Sequence, residues 1–156
     1  MSLIKDSDQD NLETILDFAI VREQRAYDFY MDLAEKSELP GVKELFVQFA
    51  REELGHKRKL EGIKEGTKQM SPPQKVLDLK IADYLVDVDP DEDLDFRKAL
   101  ILAMKREKSS FRLYIDLANS ISDKNLKPIF LSLAHEEAKH KLRFEVEYDS
   151  HFLAEN

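Results

Sequence analysis

One short pattern occurs twice in this chain: a glutamate followed three residues later by a histidine, at Glu53 and His56 and again at Glu137 and His140. On a helix, two residues three apart share a face, so both side chains can bind one metal ion from a rigid element. A single copy is more typical of a solvated helix face, because charged residues are common and the spacing is short. Two copies favour a metal site.

Each copy is preceded thirty residues upstream by another glutamate, Glu23 in the first half and Glu107 in the second. An offset of 84 residues superposes the two halves without a gap. Other pairs that this offset superposes are Arg22 and Arg106, Tyr30 and Tyr114, Asp32 and Asp116, Leu33 and Leu117, Phe46 and Phe130, and Ala50 and Ala134. The sequence therefore contains an internal duplication, about 10–64 and 94–148, which predicts a two-fold site.

Composition favours long amphipathic helices in one compact domain over residues 1–156. Charged residues make up 36% of the 156 residues and hydrophobic residues 42%, with four Gly, five Pro and no Trp. A chain of this length can bury a sizeable core. Cysteine is absent, which excludes disulfides, iron–sulfur clusters, thiolate zinc sites and cysteine nucleophiles within these residues. The absence of cysteine also favours a cytoplasmic location.

Charge and hydropathy argue against two classes of partner. The net charge of −8 repels nucleic acid phosphates, and no concentrated basic patch offsets it. The first ten residues are polar and acidic, and no apolar run approaches the length of a membrane span. We therefore expect no nucleic acid partner, no membrane partner and no signal peptide.

Four apolar stripes with helical spacing predict an all-α fold. Glu23, Glu53, Glu107 and Glu137 interrupt these stripes at positions that otherwise hold core residues. Apolar members are Leu12, Ile15 and Ala19 in the first stripe, Phe46, Phe49 and Leu60 in the second, Leu100, Ala103 and Leu117 in the third, and Phe130, Leu133 and Phe144 in the fourth. We predict a four-helix bundle of two antiparallel helical hairpins joined by a long crossover.

The ends of these elements follow from local signals. Gly62, Gly66, Pro72 and Pro73 predict the end of the second helix and the start of the crossover, which covers about 66–93 and includes a short helix near 76–85. Asp123 is the predicted N-cap of the fourth helix, and Pro128 near its first turn can shift the helix start by a few residues.

The predicted hairpins bring the metal-ligating residues together. If the turns fall near residues 38 and 122, each pair of glutamates lies fifteen residues from its turn and therefore at one level. Four carboxylates and two imidazoles would then meet in an apolar interior, where ionised carboxylates repel one another and are poorly solvated. Two divalent or trivalent metal ions would neutralise the negative charge of these carboxylates. A glutamate from each of two helices and Glu-x-x-His from each of the others is the ligand pattern of di-metal bundles.

With this six-residue motif, residues 10–150 resemble the rubrerythrin-like branch of the ferritin-like di-iron superfamily. The resemblance implies that Glu23 and Glu107 are terminal ligands, that Glu53 and Glu137 bridge both metals, and that His56 and His140 each bind one metal. Two iron ions are the implied cofactors. Manganese and mixed-metal centres remain alternatives.

Two departures from the family pattern affect the expected activity. Rubrerythrins carry a further glutamate one turn after the third-helix ligand, where this chain has Ser110, and the first-half counterpart is Ala26. They also carry a cysteine-based rubredoxin domain, which these residues lack. The missing glutamate argues against the ligand exchange that the family undergoes during peroxide turnover. The second implies that electrons come from a separate protein.

The resemblance implies a non-haem di-iron oxidoreductase that reduces hydrogen peroxide or dioxygen in oxidative-stress defence. A ferroxidase that handles iron and a metal-binding bundle without turnover remain the alternatives. Tyr30 and Tyr114, seven residues after Glu23 and Glu107, either donate a hydrogen bond to a ligand carboxylate or are core tyrosines. We also expect a homodimer, and exchange of one hairpin between two copies stays open.

Overall fold

The computed structural model describes residues 11–70, 79–86 and 95–153. These residues form helices and turns and contain no β-strand, which confirms the predicted all-α class. None of the described helices has an apolar stretch of the length that a membrane crossing needs. The main helices are α1 (Leu12–Lys36), α2 (Pro40–Met70), α3 (Phe96–Ser120) and α4 (Lys127–Tyr148), with a 3₁₀ turn at Ile81–Tyr84 and a π-helical turn at Asp149–Leu153.

The chain divides into two compact units, Met1–Leu77 and Asp78–Asn156, and each contains one helical hairpin. In the first unit, only residues 37–39 separate α1 from α2. Contacts between the helices pair early residues of one with late residues of the other: Asp17 with Lys64, Gln24 with Lys57, and Tyr30 with Phe46. This order of contacts makes α1 and α2 antiparallel, as the sequence predicts.

The predicted apolar stripes of the first unit are buried. Asn11 caps α1 by accepting a hydrogen bond from the backbone N–H of Thr14 at 2.8 Å. Burying these side chains supplies the main stabilisation of the hairpin. Buried core side chains include Leu12, Ile15, Leu16 and Tyr30 from α1, and Phe46, Phe49, Leu60 and Ile63 from α2.

The second helix extends past the predicted start of the crossover near residue 66, and it ends ahead of Pro72 and Pro73. The helix continues through Gly62 and Gly66 to Met70. A side chain at either glycine would have open space around it, so no close approach requires glycine there. Each glycine costs about 1 kcal/mol relative to alanine in a helix interior, and the surrounding Lys, Glu and Gln residues are good helix formers. Two separated glycines do not therefore stop this helix.

In the second unit, α3 and α4 also pack as a hairpin. Asp95 caps α3 by accepting a hydrogen bond from the Lys98 N–H at 2.8 Å. Asp123 is not the N-cap of α4, because its carboxylate accepts from the Asn125 N–H at 2.8 Å within a turn. The cap position is Leu126, and Pro128 lies in the first turn of the helix. Proline fits that position because the N–H it lacks has no partner within the helix.

The segment that precedes α3 is held against that helix by Tyr84. The Tyr84 hydroxyl donates to Asp116 Oδ2 at 2.6 Å, and the Ser109 hydroxyl donates to the Tyr84 carbonyl oxygen at 2.6 Å. The Arg112 guanidinium lies over the Tyr84 ring, 5.6 Å from its centroid. Burial and the Asp116 carboxylate raise the pKa of Tyr84, so its hydroxyl remains a donor at alkaline pH as well. Within residues 79–86, only 81–84 are helical, and 76–78 of the predicted short helix lie outside the described residues.

Replacing Tyr84 with phenylalanine tests this attachment. Tyr84→Phe removes the hydrogen bond to a charged acceptor, and we expect the free energy of unfolding to fall by about 2 kcal/mol. Urea unfolding followed by circular dichroism measures the change. Tyr27→Phe, at a half-buried tyrosine of α1, is the control and should cost less than about 0.5 kcal/mol. Equal effects of the two substitutions would show that the Tyr84 hydroxyl does not stabilise the fold.

Candidate metal centre

The first hairpin brings together three of the six predicted ligands. Glu23 comes from α1, and Glu53 and His56 come from adjacent turns of α2. Each offers one ligand atom, and these atoms lie within 4.8 Å of one another. His56 Nδ1 lies 3.5 Å from Glu23 Oε2 and 3.2 Å from Glu53 Oε1. All three residues are at most 4% exposed, so the cluster lies in the interior of the protein.

The second hairpin repeats this arrangement with the other three. Glu107 comes from α3, and Glu137 and His140 come from α4. Their ligand atoms again lie within 4.8 Å of one another, and each residue is at most 2% exposed. His140 Nδ1 lies 3.2 Å from Glu107 Oε2 and 3.7 Å from Glu137 Oε1. The sequence duplication is therefore also a duplication of side-chain geometry.

The donor chemistry of each triad fits a divalent or trivalent metal ion. Burying an ionised carboxylate is costly unless a cation or hydrogen bonds compensate for the lost water. Each triad places two carboxylates beside one imidazole, so its groups can neutralise a cation while supplying both oxygen and nitrogen ligands. Carboxylate oxygen suits hard ions, and imidazole suits iron, zinc, copper and nickel. Both triads satisfy these requirements with residues that a purely structural core would rarely contain.

The electrostatics of the first triad favour a positive charge at its centre. Burial alone lowers the pKa of His56, but hydrogen bonds from the ring to Glu23 and Glu53 and the charges of these carboxylates raise the pKa to about 10. In the metal-free protein, the ring is therefore an imidazolium at neutral pH. A metal ion that binds at this ring must displace that proton.

Three further residues named from the sequence lie on the same helices as the ligands. Tyr30 on α1 and Tyr114 on α3 are each 1% exposed, and the ring of Tyr30 stacks on Phe46 with 6.4 Å between centroids. A hydrogen bond from either tyrosine to a ligand carboxylate stays a prediction. Ser110 is half-buried on α3, one turn after Glu107.

Sequence reasoning missed one contact next to the first triad. Lys57, which follows His56 directly, donates from Nζ to Gln24 Oε1 at 2.8 Å. Gln24 follows Glu23 in the same way, so the contact joins the two helices immediately beside the ligands. The sequence did contain a signal for this contact. Gln24 and Lys57 each directly follow a predicted ligand, and residues next to core positions that pack together can contact each other across a hairpin.

The raised pKa of His56 predicts a pH dependence of the metal-free protein. The stability that its proton provides is complete below the ordinary pKa of 6.5 and is lost as the pH rises through about 10. We therefore expect the difference in free energy of unfolding between wild type and His56→Ala to shrink over that range. Urea unfolding in the presence of a chelator measures it. His135→Ala, at an exposed histidine of α4, is the control, and its difference from wild type should change little. A constant difference for His56→Ala would contradict this account.

Comparisons with known proteins agree with the predicted fold. The Rubrerythrin family model matches residues 14–148. A hypothetical protein from Pyrococcus furiosus is 24% identical, with a TM-score of 0.73 over 94% of this chain and 91% of that one. A protein from Thermotoga maritima, named as a ferritin-like diiron-carboxylate protein, is 20% identical, with a TM-score of 0.75 over 90% of this chain and 95% of that one.

These likenesses confirm the predicted ferritin-like fold class. The comparison with curated proteins found no significant match. The family match, in contrast, spans most of the chain and all six predicted ligands. The chain therefore belongs to the rubrerythrin family.

Proposed function

We propose that this protein is a cytoplasmic di-iron oxidoreductase that reduces hydrogen peroxide or dioxygen in defence against oxidative stress. The observation that carries the proposal is the pair of buried triads, each with two carboxylates and one imidazole, in a member of the rubrerythrin family. A purely structural role gives no reason to bury four glutamates and two histidines in matching positions.

Family membership supports a definite assignment of the six ligands. By the family pattern, Glu23 and Glu107 would be terminal ligands, Glu53 and Glu137 would be shared between the two irons, and His56 and His140 would each bind one iron. The duplicated sequence makes the two irons similar, because each receives the same residue types from equivalent positions. Iron is the metal we propose, and manganese is the alternative that the same donors accept.

Bound iron would supply one-electron steps between ferrous and ferric states, so that two irons together deliver the two electrons that peroxide reduction requires. With two protons, one peroxide then gives two water molecules. The chain's own part is to hold the ligands in place and exclude bulk water, since all six are at most 4% exposed. The neighbouring contact between Lys57 and Gln24 fixes the two helices of the first triad.

The electrons that restore the ferrous state must come from elsewhere. These 156 residues contain no cysteine, so they hold no thiolate-bound iron of the rubredoxin type. We propose a separate electron-donor protein. A ferroxidase would differ at this step, because it releases ferric iron and takes up new ferrous iron instead of being re-reduced.

Peroxide turnover by iron-loaded protein tests this function. We expect wild type loaded anaerobically with ferrous iron to be oxidised by hydrogen peroxide and to turn over repeatedly when a chemical reductant is supplied. Glu137→Ala should lose dinuclear iron binding and turnover. Glu136→Ala, which removes the adjacent half-buried carboxylate that pairs with Lys139, is the matched control and should keep both.

Other results would identify the other functions. Release of ferric iron, with uptake of several ferrous ions per chain and no need for a reductant, would identify a ferroxidase. Iron binding without any peroxide consumption would identify a passive metal-binding protein. Equal loss of activity in Glu137→Ala and Glu136→Ala would argue against the ligand assignment.

The serine at position 110 predicts a slower enzyme than a family member with glutamate there. A glutamate one turn after Glu107 would project toward the same ligand cluster and would supply a further carboxylate for iron. We expect Ser110→Glu to increase the rate of peroxide-driven oxidation on the order of tenfold. Ser110→Gln has the same size without the charge and should leave the rate unchanged. Stopped-flow absorbance measures both, and equal rates in wild type and Ser110→Glu would refute the prediction.

A further inference from the structure

The two triads contain the same residue types, but their surroundings differ. Beside the first triad, the Lys57 ammonium of α2 donates to Gln24 Oε1 of α1 at 2.8 Å. Gln24 Nε2 in turn donates to Asp28 Oδ1 on its own helix at 3.0 Å, which leaves the amide oxygen free to accept from Lys57. Asp28, Gln24 and Lys57 therefore form a chain of hydrogen bonds across the first hairpin, which we call the Gln24 bridge.

The Gln24 bridge lies directly beside the ligands. Gln24 follows Glu23 along α1, and Lys57 follows His56 along α2. Both Gln24 and Lys57 are half-buried, so their hydrogen bond is partly shielded from water and is stronger than an exposed one. The bridge therefore fixes the spacing between the two backbone segments that carry Glu23 and His56.

A second contact fixes the register of the same two helices. The Asp17 carboxylate of α1 pairs with Lys64 Nζ of α2 at 2.5 Å. Asp17 precedes Gln24 by seven residues and Lys64 follows Lys57 by seven, so the two contacts lie about two turns apart on both helices. Contacts at two matching heights oppose the sliding of one helix along the other. The ligands of the first triad are thus held in place by contacts other than those to a metal.

The internal duplication shows what the second hairpin has instead of the Gln24 bridge. At the 84-residue offset, Gln24, Asp28 and Lys57 correspond to Lys108, Arg112 and Lys141. Lysine and arginine side chains donate hydrogen bonds but cannot accept them, so these three residues cannot form the same bridge. Lys141 pairs with Glu145 on its own helix at 3.2 Å, and the Arg112 guanidinium lies over the Tyr84 ring.

A polar contact between the helices of the second hairpin lies farther from its ligands. Arg97 Nε of α3 donates to the Tyr148 hydroxyl of α4 at 3.0 Å. Arg97 precedes Glu107 by ten residues, which places it about 15 Å away along the helix. This contact therefore restrains the end of the hairpin more than the level of the second triad.

The charges beside the ligands act in the same direction. Lys57 and Lys141 occupy equivalent positions, so their charges do not distinguish the two triads. Gln24 is neutral, whereas its counterpart Lys108 places a positive charge next to Glu107. Lys108 is exposed, so solvent and salt screen its charge, but the remaining field opposes the binding of a metal cation at the second triad.

From these observations, we propose that the Gln24 bridge makes the first triad the higher-affinity metal site, so that a divalent ion fills it before the second. Ligands that are already in place bind more tightly, because binding does not have to order them. Gln24 and Lys57 are positioning residues, since they hold the helices that carry the ligands. The proposal rests on the di-metal centre proposed above and does not depend on its activity.

Calorimetric titration of the metal-free protein with Co²⁺ tests the order of filling. Co²⁺ accepts the same donor atoms as ferrous iron and is stable in air. We expect two binding steps in wild type, with dissociation constants that differ by about tenfold or more. Glu107→Ala should keep the tight step, whereas Glu23→Ala should keep only the weak one.

Two results of this titration would overturn the proposal. Repulsion between two bound ions also gives two steps, but Glu23→Ala and Glu107→Ala would then each keep an equally tight step. That result would leave the di-metal centre standing and refute the difference between its two sites. Absence of Co²⁺ binding to wild type would refute the metal centre and this proposal together.

Substitution of the bridge residues tests their part in the difference. Gln24→Met keeps the size and the net charge but removes both hydrogen bonds, and the tight step should weaken about tenfold while the weak step stays unchanged. Gln48→Met is the matched control, because Gln48 donates to Glu52 on its own helix at the same spacing as Gln24 to Asp28. Both steps should be unchanged in this control.

The reciprocal substitution tests the same contact in the second hairpin. Lys108→Gln supplies an amide acceptor opposite Lys141 and removes a positive charge, so it should tighten the weak step. A general loss of stability in Gln24→Met would weaken both steps to the same extent. That outcome, or a Gln24→Met variant with the affinities of wild type, would refute the role of the Gln24 bridge.

Discussion

The burial of two carboxylates beside one imidazole is the constraint on which each hairpin depends. Burying these carboxylates without a cation lowers the free energy of unfolding, and the burial of the surrounding apolar side chains offsets part of that loss. In the first hairpin, burial lowers the pKa of His56, but the neighbouring carboxylates raise it to about 10. The cluster therefore favours a positive charge beside its two carboxylates. A metal ion meets the same requirement more completely, because it accepts ligands from all three side chains.

The duplication explains why the ligand positions are so regular while the surfaces differ. Both halves keep Glu, Glu-x-x-His and the buried tyrosine at equivalent positions. Around these positions the halves have diverged. Tyr84, Ser109 and Arg112 attach the preceding segment to α3, and the first-half counterparts of Ser109 and Arg112 are Arg25 and Asp28.

Much of this structure follows from periodicity alone. The four helices, the hairpins and the burial of all six candidate ligands were predictable, because each ionisable residue occupies a core position of an apolar helical stripe. The errors concern positions where local signals compete. Gly62 and Gly66 do not end α2, because their propensity cost is small beside that of breaking a long helix. Asp123 caps a turn instead of α4, since the proline five residues later fixes the helix start. The attachment of Tyr84 to Asp116 depends on tertiary contacts that no local pattern encodes.

The central proposal is that the residues of the two triads would hold a di-iron centre of the family type. Mössbauer spectroscopy of protein loaded with ⁵⁷Fe and oxidised by peroxide tests it most directly, because bridging ligands couple the spins of the two ions. The account predicts two irons per chain whose ferric spins cancel, giving a diamagnetic ground state. Iron that behaves as isolated paramagnetic ferric ions, at one or two per chain, would contradict it.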